Sequence, residues 1–375
     1  MPLSIPWRTV RPEPAERPGG SDPGGSDPGG TAGRSDAEWM GRAVAAAEVV
    51  QGRTAPNPGV GAVVVPPGPP ESAGSAPWFV GATAPPGGPH AEVSALRSAG
   101  AAAQGATLYV TLEPCSHHGL TPPCTEAIVA AGVRRVVVAL PDPDTHVDGS
   151  GIAGLRSAGL EVEVGVGEEE VGEQLAPYLK HRRTGRPWVA LKLAATLDGG
   201  TAAPDGSSRW ITGDEARADA HRLRARSDAV VVGAGTVRAD DPRLTVRLPP
   251  GDPWFRGPDE QPLRVVLGSV PAGAAVAPAL ELGGEPGEVL DELGRRGVLR
   301  VLVEGGATVA HAFHHAGLVD RYVLYLAPAL FGGGDARPLF NGPGAPSIDG
   351  LWRGRLHSVT SLGGDLRVEL TTYDA

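Results

Sequence analysis

Both cysteines of this 375-residue chain fall within the 14 residues "TLEPCSHHGLTPPC", 111 to 124. Upstream, "PHAEVSAL" (89–96) places His90 and Glu92 two positions apart just after a proline. A chain this poor in thiols that sets its only pair beside one loop is constrained to fold both stretches around one point. The ligand chemistry at that point suits zinc. A catalytic zinc takes three protein ligands and keeps one position open for water, and one imidazole with two thiolates is a set soft enough to hold it. His90, Cys115 and Cys124 are the expected ligands.

Each of the three residues alone has a plainer reading, as a small buried apolar cysteine or a helix-cap histidine. Together, with Pro114 and an apolar strand leading into Cys115, they read as a metal site. His117 and His118 lie between the cysteines and stand as rival ligands. Zinc makes its bound water acidic near neutral pH. Glu92, close to the metal but not on it, has the placement of a proton shuttle between that water and a leaving amine. H-x-E with P-C-x-x-C is the signature of zinc deaminases; here eight residues separate the cysteines.

Composition narrows the class. A formal net charge of −10 opposes a nucleic-acid surface, which needs clustered Lys and Arg, but leaves room for one anion in a local basic pocket. Two cysteines make no disulfide framework, no apolar run reaches membrane-spanning length, and no signal peptide is legible, so the expected compartment is the cytoplasm. Residues 1–34, with "GGSDPGGSDPGG", read as a disordered Pro/Gly-rich tail, a passive extension or misassigned start in preference to a functional tail.

From Ser35 onward, strands and helices alternate. "SDAEWMGRAVAAAEVV" reads as a capped helix, "GVGAVVV" as a buried strand, "HAEVSALRSAG" as a helix, and "ATLYVTL" and "RRVVVAL" as strands flanking the helix "TEAIVAAG". "GEEEVGEQLAPYLKHRRTGRP" reads as a helix followed by a basic linker, and a second alternation starts at "WVALKLAATLDG". The expectation is an α/β chain of two layered domains, 35–180 and 181–375. "LVEGGATVAHAF" reads as strand, glycine turn and helix start, whose N–H groups suit a dinucleotide phosphate.

"TAPNPGVGAVVV", "HAE", "YVTLEPCSHHGLTPPC" and "DPDTHVDGSGIAGLRSAGLEV" resemble the deaminase half of the bifunctional riboflavin-biosynthesis deaminase/reductases. "LKLAATLDGGTAA", "SSRWITG", "HRLRARSDAVVVGAGTVRADDPRLTVR" and "VLVEGG" resemble their reductase half. The resemblance implies a three-layer αβα cytidine-deaminase-like domain joined to a dihydrofolate-reductase-like domain. It implies zinc-dependent deamination of 2,5-diamino-6-(ribosylamino)-4(3H)-pyrimidinone 5′-phosphate, then NADPH-dependent reduction of ribosyl to ribityl. By the same resemblance Ala194, Trp210, Thr236, Asp240, Ser269 and the stretch from Gly306 line the NADPH site. Ser208, Arg224, Leu244, Arg247 and Glu304 face the ribosyl phosphate, and Asn57 and Asp142 the pyrimidine. Lys192 and Asp198, polar residues in or just after an apolar strand, either position the sugar or form a strand-end salt bridge. A homo-oligomer acting on a small molecule, away from membrane and nucleic acid, is the expected assembly.

The chain departs from the family pattern beside the zinc ligands. Thr83 stands where a histidine is usual, Leu120 where a Lys or Arg offers charge to a phosphate, and "DPDT" puts Asp144 and Thr145 in place of Asn and Pro. Asp144 would repel an anion. Arg53 and Arg97 are the candidate substitutes for the missing cation. The departures also admit a deaminase half acting on another pyrimidine or purine. A nucleic-acid deaminase module and a purely structural zinc module are further readings, the first opposed by charge.

Overall fold

The computed structural model describes residues 35–67, 78–117, 122–144 and 147–372. The expected tail (1–34), His118, Leu120 and Thr145 lie outside them. The described chain opens with α1 (Asp36–Glu48), started by a capping box: the Ser35 hydroxyl accepts from the Glu38 N–H (3.3 Å) and the Glu38 carboxylate accepts from the Ser35 N–H (2.6 Å). There follow β1 (Gly61–Val65), β2 (Phe79–Ala82), α2 (Ala91–Ala99), β3 (Thr107–Leu112), α3 (Cys124–Ala130), β4 (Arg135–Leu140), α4 (Ser150–Ser157) and β5 (Glu161–Val164).

These strands form one sheet in the order β2-β1-β3-β4-β5, antiparallel through β3 and parallel from β3 to β5. Val63, Val64, Leu108, Val110 and Val136–Val138 are fully buried, as expected of strands covered by helices on both faces. β2 carries no strong apolar run and was not expected; it is an edge strand formed by pairing with β1. Glycine permits the closest approaches, since a Cβ on Gly61 would lie 1.9 Å from the Ala43 carbonyl of α1.

Helix α5 (Glu168–Thr184) follows, with three glutamates in its first turn and His181, Arg182 and Arg183 in its last, the sense the helix dipole favours. The basic segment expected as a linker is therefore helical. Gly185, at φ 73°, ends the helix. Beyond it come β6 (Trp188–Thr196), β7 (Gly200–Ala202), α6 (Asp214–Ala225), β8 (Ala229–Gly233), α7 (Ala234–Asp240), β9 (Leu263–Leu267), β10 (Leu280–Leu282), α8 (Pro286–Arg295), β11 (Arg300–Val303), α9 (Ala307–His315), β12 (Arg321–Ala327), β13 (Arg337–Pro338), β14 (Arg355–Leu362) and β15 (Asp365–Thr371). The second sheet runs β10-β9-β8-β11-β6-β12-β15-β14, parallel from β10 to β12 and closed by the antiparallel pair β15 and β14.

The two halves are joined by more than chain. Arg53 donates to the Phe255 carbonyl (2.6 Å), Arg256 to the Gln51 carbonyl (2.7 Å), Arg300 to the Gln51 side chain (3.2 Å), and Arg226 pairs with Glu48. No helix among the described residues is long and apolar enough to cross a membrane.

Gly61→Ala forces a methyl into the α1 backbone and should cost roughly 3 kcal/mol. A urea unfolding curve with a lower midpoint and unchanged slope is the expected result.

Candidate active sites

β3 delivers Cys115 three residues past its end, α3 begins at Cys124, and His90 is the N-cap residue of α2. These separate elements bring the Cys115 sulfur to 3.6 Å and the Cys124 sulfur to 3.2 Å from the His90 Nδ1. All three ligand atoms lie within 4.8 Å of one another. The donor set fits zinc on electrostatic grounds as well. Hydrogen bonding from Cys124 pulls the Cys115 thiol down, and the same contact pushes Cys124 up, because two adjacent sulfurs cannot both ionise without a cation between them. His117 lines the neighbouring cavity but is not part of this three-residue cluster, and the other rival, His118, lies outside the described residues.

The cavity beside the sulfurs has a volume of about 140 Å³. Asn57, Thr83, Glu92, Asp142 and Asp144 line it, so the residues singled out for the pyrimidine do meet there. Glu92 is buried in the first turn of α2, and that burial pushes its carboxyl up to about 7. Asp142 is also raised by burial, and the Tyr178 hydroxyl donates to both its oxygens (3.0 and 3.1 Å). The Thr83 hydroxyl accepts from the buried Val60 N–H (3.0 Å), so it holds the strand end and does not act as an imidazole would.

Neither candidate for the missing cation lines this cavity. Arg53 is turned to the second half, and Arg97 lies in the groove between α2 and α3 with Pro122, Pro123 and Glu126. Arg182 of α5 does line it, with its Nε 3.1 Å from an Asp144 oxygen. Glu113 was also missed. Buried directly after β3, its carboxylate accepts from the N–H groups of Asp142 (3.1 Å), Gly149 (3.2 Å) and Ile152 (3.1 Å). The acidic residue inside "LEPC" was the available signal, since a carboxylate between a buried strand and a ligand must satisfy something local.

The second site lies outside the carboxyl ends of parallel strands β8, β9 and β11, where open α/β sheets place their ligands. A cavity of about 1150 Å³ there is lined by Ser208, Thr236, Asp240, Glu304 and Gly306 among others. The Gly306 N–H donates to the Thr236 hydroxyl (3.1 Å), and α9 starts at the next residue, as the glycine turn predicted. Glu304 is clasped by Arg224 through Nε (2.5 Å) and Nη2 (2.9 Å). Burial opposes ionisation of Glu304, but Arg224 overrides it and holds the carboxyl at about 2. Burial depresses Lys192, whose charge is felt by Glu304 and Arg224.

Other residues expected here stand apart from the cavity wall. Ala194 packs beside the buried Val323 and Tyr325, Leu244 is itself buried at φ 54°, and Trp210 and Ser269 are exposed. The Arg247 N–H donates to His221 (3.3 Å), which puts Arg247 beside the Arg224 pair in charge if not in contact. Asp198 accepts from Thr196 (2.5 Å) and the Gly332 N–H (2.8 Å), and neither it nor Lys192 forms a salt bridge among the described residues. The strand-end pairing considered for those two is not what the fold makes.

The comparisons agree with this geometry. The model of the cytidine and deoxycytidylate deaminase zinc-binding region matches residues 34–140, and that of the RibD C-terminal domain residues 187–368. The riboflavin biosynthesis protein RibD of Mycobacterium tuberculosis (strain CDC 1551 / Oshkosh) is 44% identical over 345 residues, covering 90% of this chain and 97% of its own. That of Escherichia coli (strain K12) is 38% identical, covering 89% and 99%. The solved RibD of Acinetobacter baumannii, form 1, superposes with a TM-score of 0.80 at 39% identity, covering 90% of this chain and 98% of its own. A Thermotoga maritima structure described as a diaminohydroxyphosphoribosylaminopyrimidine deaminase/5-amino-6-(5-phosphoribosylamino)uracil reductase does so at 0.76 and 33%, with the same coverage. Fold and site thus define a two-domain enzyme, a zinc-type deaminase fused to a reductase. The chain belongs to the RibD family of bifunctional riboflavin-biosynthesis proteins.

Glu113→Gln turns an amide N–H₂ toward backbone donors and should cost about 1–3 kcal/mol. The check is a lower urea midpoint together with a raised KM for deamination, because Asp142 loses its anchor.

Proposed function

We propose that the first half deaminates 2,5-diamino-6-(ribosylamino)-4(3H)-pyrimidinone 5′-phosphate and that the second reduces the ribosyl group of the product to ribityl. The observation that carries the first step is the meeting of His90, Cys115 and Cys124 beside the buried Glu92 in one cavity. Zinc held by those three would supply the Lewis acidity that activates water at neutral pH. Glu92 takes the proton from that water and delivers it to the leaving amine, so ammonia departs neutral. Its raised carboxyl suits both directions of transfer. Asn57 and Asp142 orient the ring, with Asp142 held in place by Tyr178.

In the second half, bound NADPH would supply the hydride. Thr236, Asp240 and the turn at Gly306 offer a hydroxyl, a carboxylate and the start of α9 to it, while Ala194, Trp210 and Ser269, which the resemblance adds to the cofactor site, are not among the residues that line this cavity. Ser208, Arg224, Arg247, Glu304 and Lys192 serve the sugar phosphate, while Leu244, buried in the apolar core, does not reach it. The Arg224–Glu304 pair fixes the direction of the guanidinium, and Lys192, whose burial favours release of its proton, is suited to donate one to the sugar oxygen. The same reading has a cytoplasmic homo-oligomer acting on a small molecule. The net charge of −10 supports the absence of nucleic acid, and exposed Leu330, Ile348, Leu356 and Val359 support self-association.

The test is the purified chain with the diaminopyrimidine substrate, with and without NADPH, products read by mass spectrometry. Deamination alone without NADPH and both changes with it are expected. Glu92→Gln should lower ammonia release about 10²- to 10⁴-fold while zinc content stays at one per chain and reduction of added deaminated product is kept. Ammonia release at the unaltered rate would return the first half to a structural metal module.

A further inference from the structure

We propose that Arg182, held by Asp144, is the residue through which the deaminase cavity recognises the phosphate of its substrate. The inference rests on the deaminase reading above and adds a residue to it. A phosphorylated substrate brings about two negative charges into a cavity that already holds Glu92, Asp142 and Asp144, so a fixed cation is needed close by. Arg182 is the one Lys or Arg among the described residues that line it. The neighbouring segments outside the description, 118–121 and 145–146, read "HGLT" and "TH" and contain neither residue type.

The geometry leaves Arg182 able to act. Its Nε meets Asp144 (3.1 Å), one Nη1 contact reaches His181 Nδ1 (3.3 Å) and one Nη2 contact the Pro56 carbonyl (3.4 Å). The Asp144 contact is an ion pair and not a hydrogen bond, and each Nη makes one of the other two contacts, so one N–H on each Nη remains to meet a phosphate, an anion that a guanidinium suits. The guanidinium also lies over the Tyr178 ring at 4.8 Å, and Tyr178 is the residue that holds Asp142. Asp144 thus changes meaning. As an isolated carboxylate it would repel the substrate, but as the partner of Arg182 it aims a cation and is itself neutralised.

The position of Arg182 depends on the second half of the chain. One residue before it, His181 contacts the Gly294 carbonyl (3.0 Å), and two before it, Lys180 pairs with Asp320 (2.6 Å). The reductase half therefore sets where the last turn of α5 presents its arginine to the deaminase cavity.

The experiment compares full-length wild type and Arg182→Gln on the phosphorylated substrate and on its dephosphorylated counterpart. Arg182→Gln should raise KM for the phosphorylated compound about 10- to 100-fold, the range of a charge-assisted hydrogen bond, with kcat within about threefold. Turnover of the dephosphorylated compound should not change, which also shows the variant is folded. Competitive inhibition by inorganic phosphate should weaken in parallel, a readout that needs no second substrate. Equal losses on both substrates, or no loss on either, would overturn the assignment while leaving the deaminase reading intact. A wild-type chain that releases no ammonia from the phosphorylated compound overturns both.

Discussion

Two sulfurs and an imidazole nitrogen that meet within 4.8 Å set a condition on everything around them. Thiolates that close repel one another, so the arrangement is stable as a doubly ionised pair only with a cation between. That condition in turn fixes where three elements begin or end: the start of α2 at His90, the exit of β3 before Cys115, and the start of α3 at Cys124. Glu92 follows from the same geometry. Once His90 is the N-cap residue, the second residue of the helix is turned inward beside the cavity, buried yet able to exchange protons.

The parts of this architecture that were legible in the sequence are those governed by local rules. The capped helix at the start of α1, the β-branched runs of β1, β3 and β4, and the glycine turn before α9 all follow from pattern and propensity, and each forms as expected. What was not legible came from pairing over distance. β2 exists because β1 offers it an edge. Arg53, placed by sequence near the cavity, is drawn instead to the Phe255 carbonyl across the junction. Glu113 was visible in its motif, yet its three backbone partners lie 29 to 39 residues away, and no spacing rule announces them.

The departures at Thr83 and Asp144 show how a substitution can be misread one residue at a time. Thr83 loses an imidazole but gains a strand-end hydrogen bond to Val60, a structural role with no charge. Asp144 looks hostile to an anion in isolation, whereas its ion pair with Arg182 reverses its effect on the local field. The arginine sits 38 positions downstream in what reads as a basic linker, so the compensation is invisible until α5 is seen to run unbroken through it.

Helix α5 is also where the fusion of two enzymes acquires a physical consequence. Tyr178 and Arg182 face the deaminase cavity, while Lys180 and His181, between them in sequence, are held by Asp320 and Gly294 of the other half. Residues that alternate in this way on one helical turn cannot be satisfied independently, because rotating the helix to improve one set displaces the other. A wall of the first site is therefore positioned by the second domain even though the two cavities open separately. The covalent link does more than keep two activities at equal abundance: it supplies the reductase half as the support against which the deaminase cavity is closed.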